Sequence, residues 1–349
     1  MSSPFATRLR RASSSTATAV ALVLVVAACS SNTKPGPVVT RTVTNGPTAG
    51  ASGPSASVPS KSKPSKSKPP KPTGKPVHVS SAVLSDGSQV GVGMPIILLL
   101  SRPIRQARDF SAATTVTVNG HAINGGWYFE RKYGDAGHPI EADYRPARYW
   151  PGHAQVHMEL KAKGKSAGKG LIFDNNLSLD FSTGAAHVLT VDDATHRLTV
   201  MSDGHQWPDA STTFPVSLGL AATPTKRGIK VVMEKGLDIP MHGPGYYDPH
   251  VKFTQRLTYD GEYLHSAPWN CVGAPGCSGP QNNIGSADSS NGCTNLKPED
   301  AQKLFEFLEI GDVVQYPNAS GPLMGLGDGY GDWNVPWPQW QTGGLYPVS

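Results

Sequence analysis

The sequence has no Asp or Glu before Asp86. Eleven Lys and Arg residues, from Arg8 to Lys75, lie in that stretch, which leaves 20 basic against 26 acidic residues after it. The formal charge of +5 therefore belongs to the N-terminus, and the body is acidic. This excludes the basic folded face of a nucleic-acid-binding protein. The chain also lacks long apolar runs: the stretch Ala17 to Ala28 is too short to span a bilayer as a stable helix, so a polytopic membrane protein is excluded. Only 16% of residues are charged, while 38 Gly and 31 Pro punctuate the 349 positions, which argues against long helices and for β-rich domains plus linker. At roughly 150 residues per domain, the length allows about two domains.

What is there begins at the N-terminus. Arg8, Arg10 and Arg11 precede the apolar run, the pattern of an export signal over residues 1–28. The run ends in Val26-Ala27-Ala28-Cys29, which resembles a bacterial lipobox, so Cys29 is expected to carry lipid. The resulting expectation is an exported protein held at the outer face of the cytoplasmic membrane, facing the cell wall. Residues 29–76 are rich in Pro, Ser and Lys and poor in large apolar groups, so they cannot bury enough surface to offset their ordering entropy. They read as a disordered tether.

From Val77 to Thr183, short β-branched runs such as "TTVTVNG" and "LSLDFSTG" alternate with turn residues, the pattern of an Ig-like sandwich. No cysteine lies in this region, so any likeness to an antibody domain is architectural. Its histidines, His121, His138, His153 and His157, lack metal-ligand spacing. From Val188 the alternation resumes, with Asp203-Gly204 and Asp260-Gly261 as hairpin signals. One segment, Lys297 to Ile310, has helical character: Pro298 suits a first turn, Glu299 and Asp300 favour the N-terminal end, and Leu304, Phe307 and Leu308 form a stripe.

Three cysteines remain after Cys29. Cys271 and Cys277 lie in a Gly/Pro-rich loop and can pair in an oxidising compartment, which leaves Cys293 as a free thiol in the turn "SSNGCTNL". Cys293 is either a small buried residue or a nucleophile. Gly292 permits a strained turn with converging N–H groups, and the following helix is expected to favour the thiolate. A base is needed, and His265 in "YLHSAPW", at the end of a strongly β run, is the candidate, with Ser266 offering its backbone or hydroxyl to orient the imidazole.

"YLHSAPW" followed by a lid and then Ser290-Asn291-Gly292-Cys293-Thr294-Asn295 resembles the L,D-transpeptidase (YkuD) catalytic domain, in the actinobacterial lipoprotein type with Ig-like modules ahead of it. "VGVGMPIILLLSRPI" and "ARYWPGHAQV" resemble the Ig-like module, and "GLGDGYGDWNVPWPQW" the Trp-rich C-terminal extension. The resemblance implies a mainly β protein, with an Ig-like domain at 77–183, a catalytic β-sandwich at 184–317 with one short helix after the cysteine, and an extension at 318–349. It implies Cys293 as nucleophile, His265 as base, Ser266 as orienting residue, and Gly292 and Cys293 N–H groups for the oxyanion. Ser290 and Asn295 match flanking polar positions, Tyr247 a donor-pocket tyrosine, and Met233 is a further candidate for that crevice.

The implied reaction takes a tetrapeptide stem of peptidoglycan as donor, releases D-Ala through a thioester, and joins a neighbouring stem in a 3→3 cross-link with no metal or organic cofactor. Carbapenem β-lactams are implied as covalent inhibitors. Alternatives are an L,D-carboxypeptidase with water as acceptor and a catalytically weak wall-binding lipoprotein. Two departures stand out. The family's second His is here Asn291, and the 24 residues between His265 and Ser290 make a long lid containing Cys271 and Cys277. Trp333, Trp337 and Trp340 offer either a sugar-stacking platform or, more simply, packing of the tail on the catalytic domain.

Overall fold

The computed structural model describes residues 73–132, 135–243 and 245–349. The signal segment, Cys29 and almost all of the tether lie outside these residues. The first strand, Lys75–Val77, pairs in parallel with Leu171–Phe173, so the last two residues read as tether, Lys75 and Pro76, belong to a strand.

The first domain is the expected sandwich. One sheet has five strands, Ser88–Val90, Leu177–Thr183, Gln155–Leu160, Thr114–Val118 and His121–Ala122, in that spatial order. The other orders Val79–Ser81, Ile96–Leu100, Ile140–Pro146 and Gly125–Arg131. Period-two alternation sends Trp127 and Phe129 inward, where Phe110 meets both rings edge-on at centroid distances of 5.1 and 5.6 Å.

The second domain is a ten-stranded curled sheet. Its centre carries the parallel pair Tyr263–Ser266 and Thr294–Leu296, flanked by the long hairpin Glu234–Gly243 and Tyr246–Arg256. Parallel neighbours need a long crossover, and the lid supplies it. The helix runs Pro298–Phe307, ending earlier than its pattern suggested because Leu308 turns to an extended conformation. Ala301 and Leu304 bury its inner face. Asp203-Gly204 makes the expected tight hairpin, both residues having positive φ.

The tail departs from expectation. Its tryptophans pack on the outer face of the Ig-like sheet, not chiefly on the catalytic domain. Trp340 is fully buried, stacks on Tyr128 at 5.0 Å and donates its indole N–H to the Gly126 carbonyl at 2.8 Å. Trp333 donates to the Gly93 carbonyl at 2.7 Å, and Leu345 N–H to the Phe129 carbonyl at 2.9 Å. Tail residues also hold the catalytic domain: Asn334 bonds both backbone groups of Ile229. The extension is thus a strap across both domains, and the exposed aromatic platform is not realised, because the strand pair Gly125–Arg131 and Ile140–Pro146 offers Tyr128 and Arg145 as better partners.

Candidate active site

A crevice of about 310 Å³ opens where the hairpin tip, the lid and the cysteine turn meet. His265, Cys293, Ser290, Asn291, Asn295 and Tyr247 all line it. Register explains the meeting of the first two. His265 sits opposite Asn295 in the parallel pair, and Cys293, two residues before Asn295, falls on the same face.

The turn before Cys293 is held from several sides. Gly292 has φ +107°, a left-handed conformation that favours glycine. Ser290 donates its hydroxyl to the Cys293 carbonyl at 2.5 Å and accepts from the Gly292 N–H at 3.1 Å. Thr225 donates to the Gly292 carbonyl at 2.9 Å, while Leu220 N–H reaches the Ser290 carbonyl, also at 2.9 Å. The Gly292 N–H is therefore committed to the turn, and its expected service to an oxyanion gives way to a conformational one.

Cys293 is 8% exposed and is the one unbridged cysteine among the described residues. Its Sγ faces the Gly261 carbonyl at 3.6 Å. Burial pushes the thiol up to about 12, with the Glu262 charge adding to the effect and the Tyr263 N–H and Lys230 opposing it. The expected help from a helix N-terminus is absent, because the strand Thr294–Leu296 intervenes before the helix.

His265 is buried, and burial holds its pKa below the ordinary value, opposed by its bond to Ser266 and by Asp248. Its Nδ1 meets the Ser266 carbonyl at 2.8 Å. A carbonyl only accepts, so Nδ1 carries the proton and Nε2 keeps its lone pair in the neutral ring. Ser266 thus orients the imidazole through its backbone, not its hydroxyl. Trp269, from the lid, lies against the His265 ring at 5.9 Å.

The other expected residues divide. Asn295 is buried, and its Oδ1 has no hydrogen-bond partner, so a polar group is left for whatever enters the crevice. Asn291 is exposed and meets only the Thr223 hydroxyl, at 3.5 Å. Tyr247 is 67% exposed at the hairpin tip. Met233 does not reach the crevice: it is buried in the core shared with the Ig-like domain, and Met241 lines the wall instead. A hairpin bulge between Ile239 and Met241 shifts the register there. Cys271 and Cys277 are joined by a disulfide, S–S 1.98 Å, and Cys271 packs with Ala267 and Ile284 in a small core of the lid itself.

Residues that the sequence did not single out complete the site. Lys230, wholly buried, pairs with Glu262 behind Cys293 and lies 3.8 Å from the Tyr316 ring centroid. The loop Leu257–Glu262 that presents Gly261 to the thiol is tied by Lys226, which pairs with both Asp260 and Asp328 of the tail. Lys230 did leave a signal, as a lone charge inside the apolar strand "GIKVV".

Residues 186–315 match the L,D-transpeptidase catalytic domain, YkuD, and residues 63–166 match the bacterial Ig domain. The chain thus carries a YkuD-type L,D-transpeptidase catalytic domain with a bacterial Ig-like domain N-terminal to it, and its relatives are mycobacterial L,D-transpeptidases. L,D-transpeptidase 2 of Mycobacterium tuberculosis is 29% identical over 282 residues, covering 78% of this chain and 64% of that protein. L,D-transpeptidase 5 of the same species is 30% identical, covering 76% and 56%. The chain thus spans less than two thirds of the length of these two relatives. Among solved structures, an L,D-transpeptidase in complex with imipenem aligns with a TM-score of 0.53 at 25% identity, covering 68% of this chain and 98% of that one. L,D-transpeptidase 3 of M. tuberculosis, with a faropenem-derived adduct, aligns with a TM-score of 0.52 at 26% identity, covering 69% and 99%.

Proposed function

We propose that the chain is an L,D-transpeptidase forming 3→3 cross-links between peptidoglycan stems, with Cys293 as nucleophile and His265 as general base. The observation that carries the reading is one crevice containing a buried thiol, a buried neutral imidazole with Nε2 unprotonated, and an unsatisfied Asn295 amide oxygen. With a thiol at about 12 and a histidine pKa lowered by burial, the resting pair is neutral. The Sγ proton passes to His265 Nε2 as the sulfur attacks the carbonyl between the third residue of a tetrapeptide stem and its D-Ala. The C–N bond breaks, the His265 proton goes to the departing D-Ala amine, and a thioester remains. The side-chain amine of a neighbouring stem attacks it and restores the thiol. Carbapenems acylate the same sulfur, a reading supported by the relatives seen with β-lactams. In the same proposal, lipid on Cys29 anchors the exported chain, and the tether and Ig-like domain carry the crevice towards the wall.

The test incubates the purified full chain with a disaccharide-tetrapeptide and follows products by mass. D-Ala release with a cross-linked dimer is expected. D-Ala loss without dimer identifies the carboxypeptidase, and no D-Ala release from a folded chain leaves the wall-binding lipoprotein.

A further inference from the structure

The outer face of the Ig-like sheet concentrates carboxylates in a way that the reaction does not use. The strands Gly125–Arg131 and Ile140–Pro146 place Glu130 directly opposite Glu141, and Tyr128 opposite Asp143. Period two puts all three acids on one face, although like charges directly opposite each other destabilise a ladder. One carboxylate oxygen from each of the three lies within 4.8 Å of the other two. The tail then closes over this face and brings a fourth acid, Asp332, in the turn Gly331–Asn334.

Two of these acids are almost wholly enclosed. Asp143 and Asp332 are each 2% exposed, and the Oδ1 of each is buried with no hydrogen-bond partner. The resident cations fall short. Lys132 pairs with Glu141, and Arg145 is drawn away to lie over Trp333, Trp337 and Trp340 and to donate to the Val335 carbonyl at 2.6 Å. Four carboxylates against these two cations leave a local excess of two negative charges. A buried carboxylate without a partner is costly, so it must take up a proton or a cation. Burial and mutual repulsion push Glu130 up to about 8 and Asp332 up to about 7, and raise Asp143 as well.

We propose that Glu130, Glu141 and Asp143 of the Ig-like sheet form a calcium site beneath the tail, with the nearby charge of Asp332 drawing the strap onto it. The donors are all oxygen, which selects a hard cation over zinc or copper. Calcium takes six to eight oxygens, including several carboxylates, in a flexible geometry, whereas magnesium keeps most of its waters and binds through one or two carboxylates, so a cluster of three carboxylates favours calcium. The charge deficit equals one divalent ion.

The experiment titrates Ca²⁺ into the purified full chain, stripped of metal with a chelator, at neutral pH and physiological ionic strength, and follows heat and thermal unfolding. Mg²⁺ serves as the second arm. One Ca²⁺ per chain is expected, with a dissociation constant of about 10⁻⁴–10⁻³ M, in the range of extracellular calcium modules. Saturating Ca²⁺ should raise the unfolding temperature by about 2–4 °C, and an equal ionic strength of NaCl should not. The double variant Glu141→Gln/Asp143→Asn should lose the saturable heat while unfolding, without calcium, at least as high as the unsubstituted chain, because it relieves the repulsion. Absence of saturable binding in the unsubstituted chain overturns the site and leaves shared protons as the means of neutralisation. Undiminished binding in the double variant overturns these ligands, and equal affinity for Mg²⁺ overturns the calcium assignment.

Discussion

The cysteine turn and the junction between tail and Ig-like sheet are both buried, polar and built from neighbouring strands, yet they treat polar groups in opposite ways. At the turn, Ser290, Thr225 and Leu220 each satisfy a named backbone group around Gly292 and Cys293. At the junction, Asp143 Oδ1, Asp332 Oδ1 and Arg145 Nε have no partner. The difference teaches where precision is spent. The nucleophile proposed here must be held within a few tenths of an ångström of one geometry, which demands satisfied neighbours. A junction only has to close, and its unpaired charges hold it in reserve for an ion.

The hardest blow to the crevice should leave the junction untouched. Cys293→Ala is expected to abolish D-Ala release, a loss on the order of 10⁴-fold or more, as for removal of other covalent nucleophiles, with an unchanged unfolding temperature. It should also remove the carbapenem adduct from intact-mass spectra. Residual release above that level means that another group attacks. His265→Gln should follow with a loss of about 10²–10⁴-fold, the scale of general-base catalysis. In the unsubstituted chain the acid limb of kcat/KM should lie below pH 6.5, because burial lowers the pKa of His265 and protonation removes the base. The same shift acts on stability. The folded state binds the proton more weakly than the unfolded one, so its contribution is complete above pH 6.5 and is lost as pH falls below it. An acid limb above 6.5 contradicts the buried, neutral base.

The complementary blow strikes the junction. Trp340→Ala removes a fully buried ring, its stack on Tyr128 and its bond to the Gly126 carbonyl, and should cost about 3–5 kcal/mol of stability in denaturant unfolding. Because the tail also supplies Asp328 to Lys226 and Asp260, some loss of activity should accompany it through the Gly261 loop. Full activity with the expected loss of stability shows the two regions to be uncoupled.

The sequence made the strands, the β run ending at His265, the turn at Cys293 and the helix legible because each has a local pattern: alternation, turn residues, a proline start. What it hid was long-range. Glu130, Glu141 and Asp143 look like ordinary outward residues of alternating strands, yet Glu141 and Asp143 are buried and Glu130 half-buried under the covering tail. Lys230 and Glu262 lie 32 positions apart and acquire meaning only as a pair. Met233 failed for the same reason: only the packing of the two domains shows that it enters their shared core, while Met241, near the far end of the hairpin strand, lines the crevice. The thiol's raised pKa was equally out of reach, since it comes from enclosure by residues of several segments.

The smallest effect is expected from Asn291→His, which places at this position the histidine that the family resemblance implies. Asn291 is exposed, and its side chain accepts one hydrogen bond, from the Thr223 hydroxyl, so neither the turn nor the His265 orientation depends on it. An exposed surface substitution away from caps and cores changes stability by about 0.5 kcal/mol or less. A histidine there adds a group titrating near pH 6.5, so its influence should appear as a change in the shape of the pH profile and only a small change in rate at neutral pH. If Asn291→His instead raises kcat/KM about tenfold or more at neutral pH, the comparison must be redrawn: the crevice, like the junction, then lacks a charged partner, and His265 alone does not account for the proton transfers.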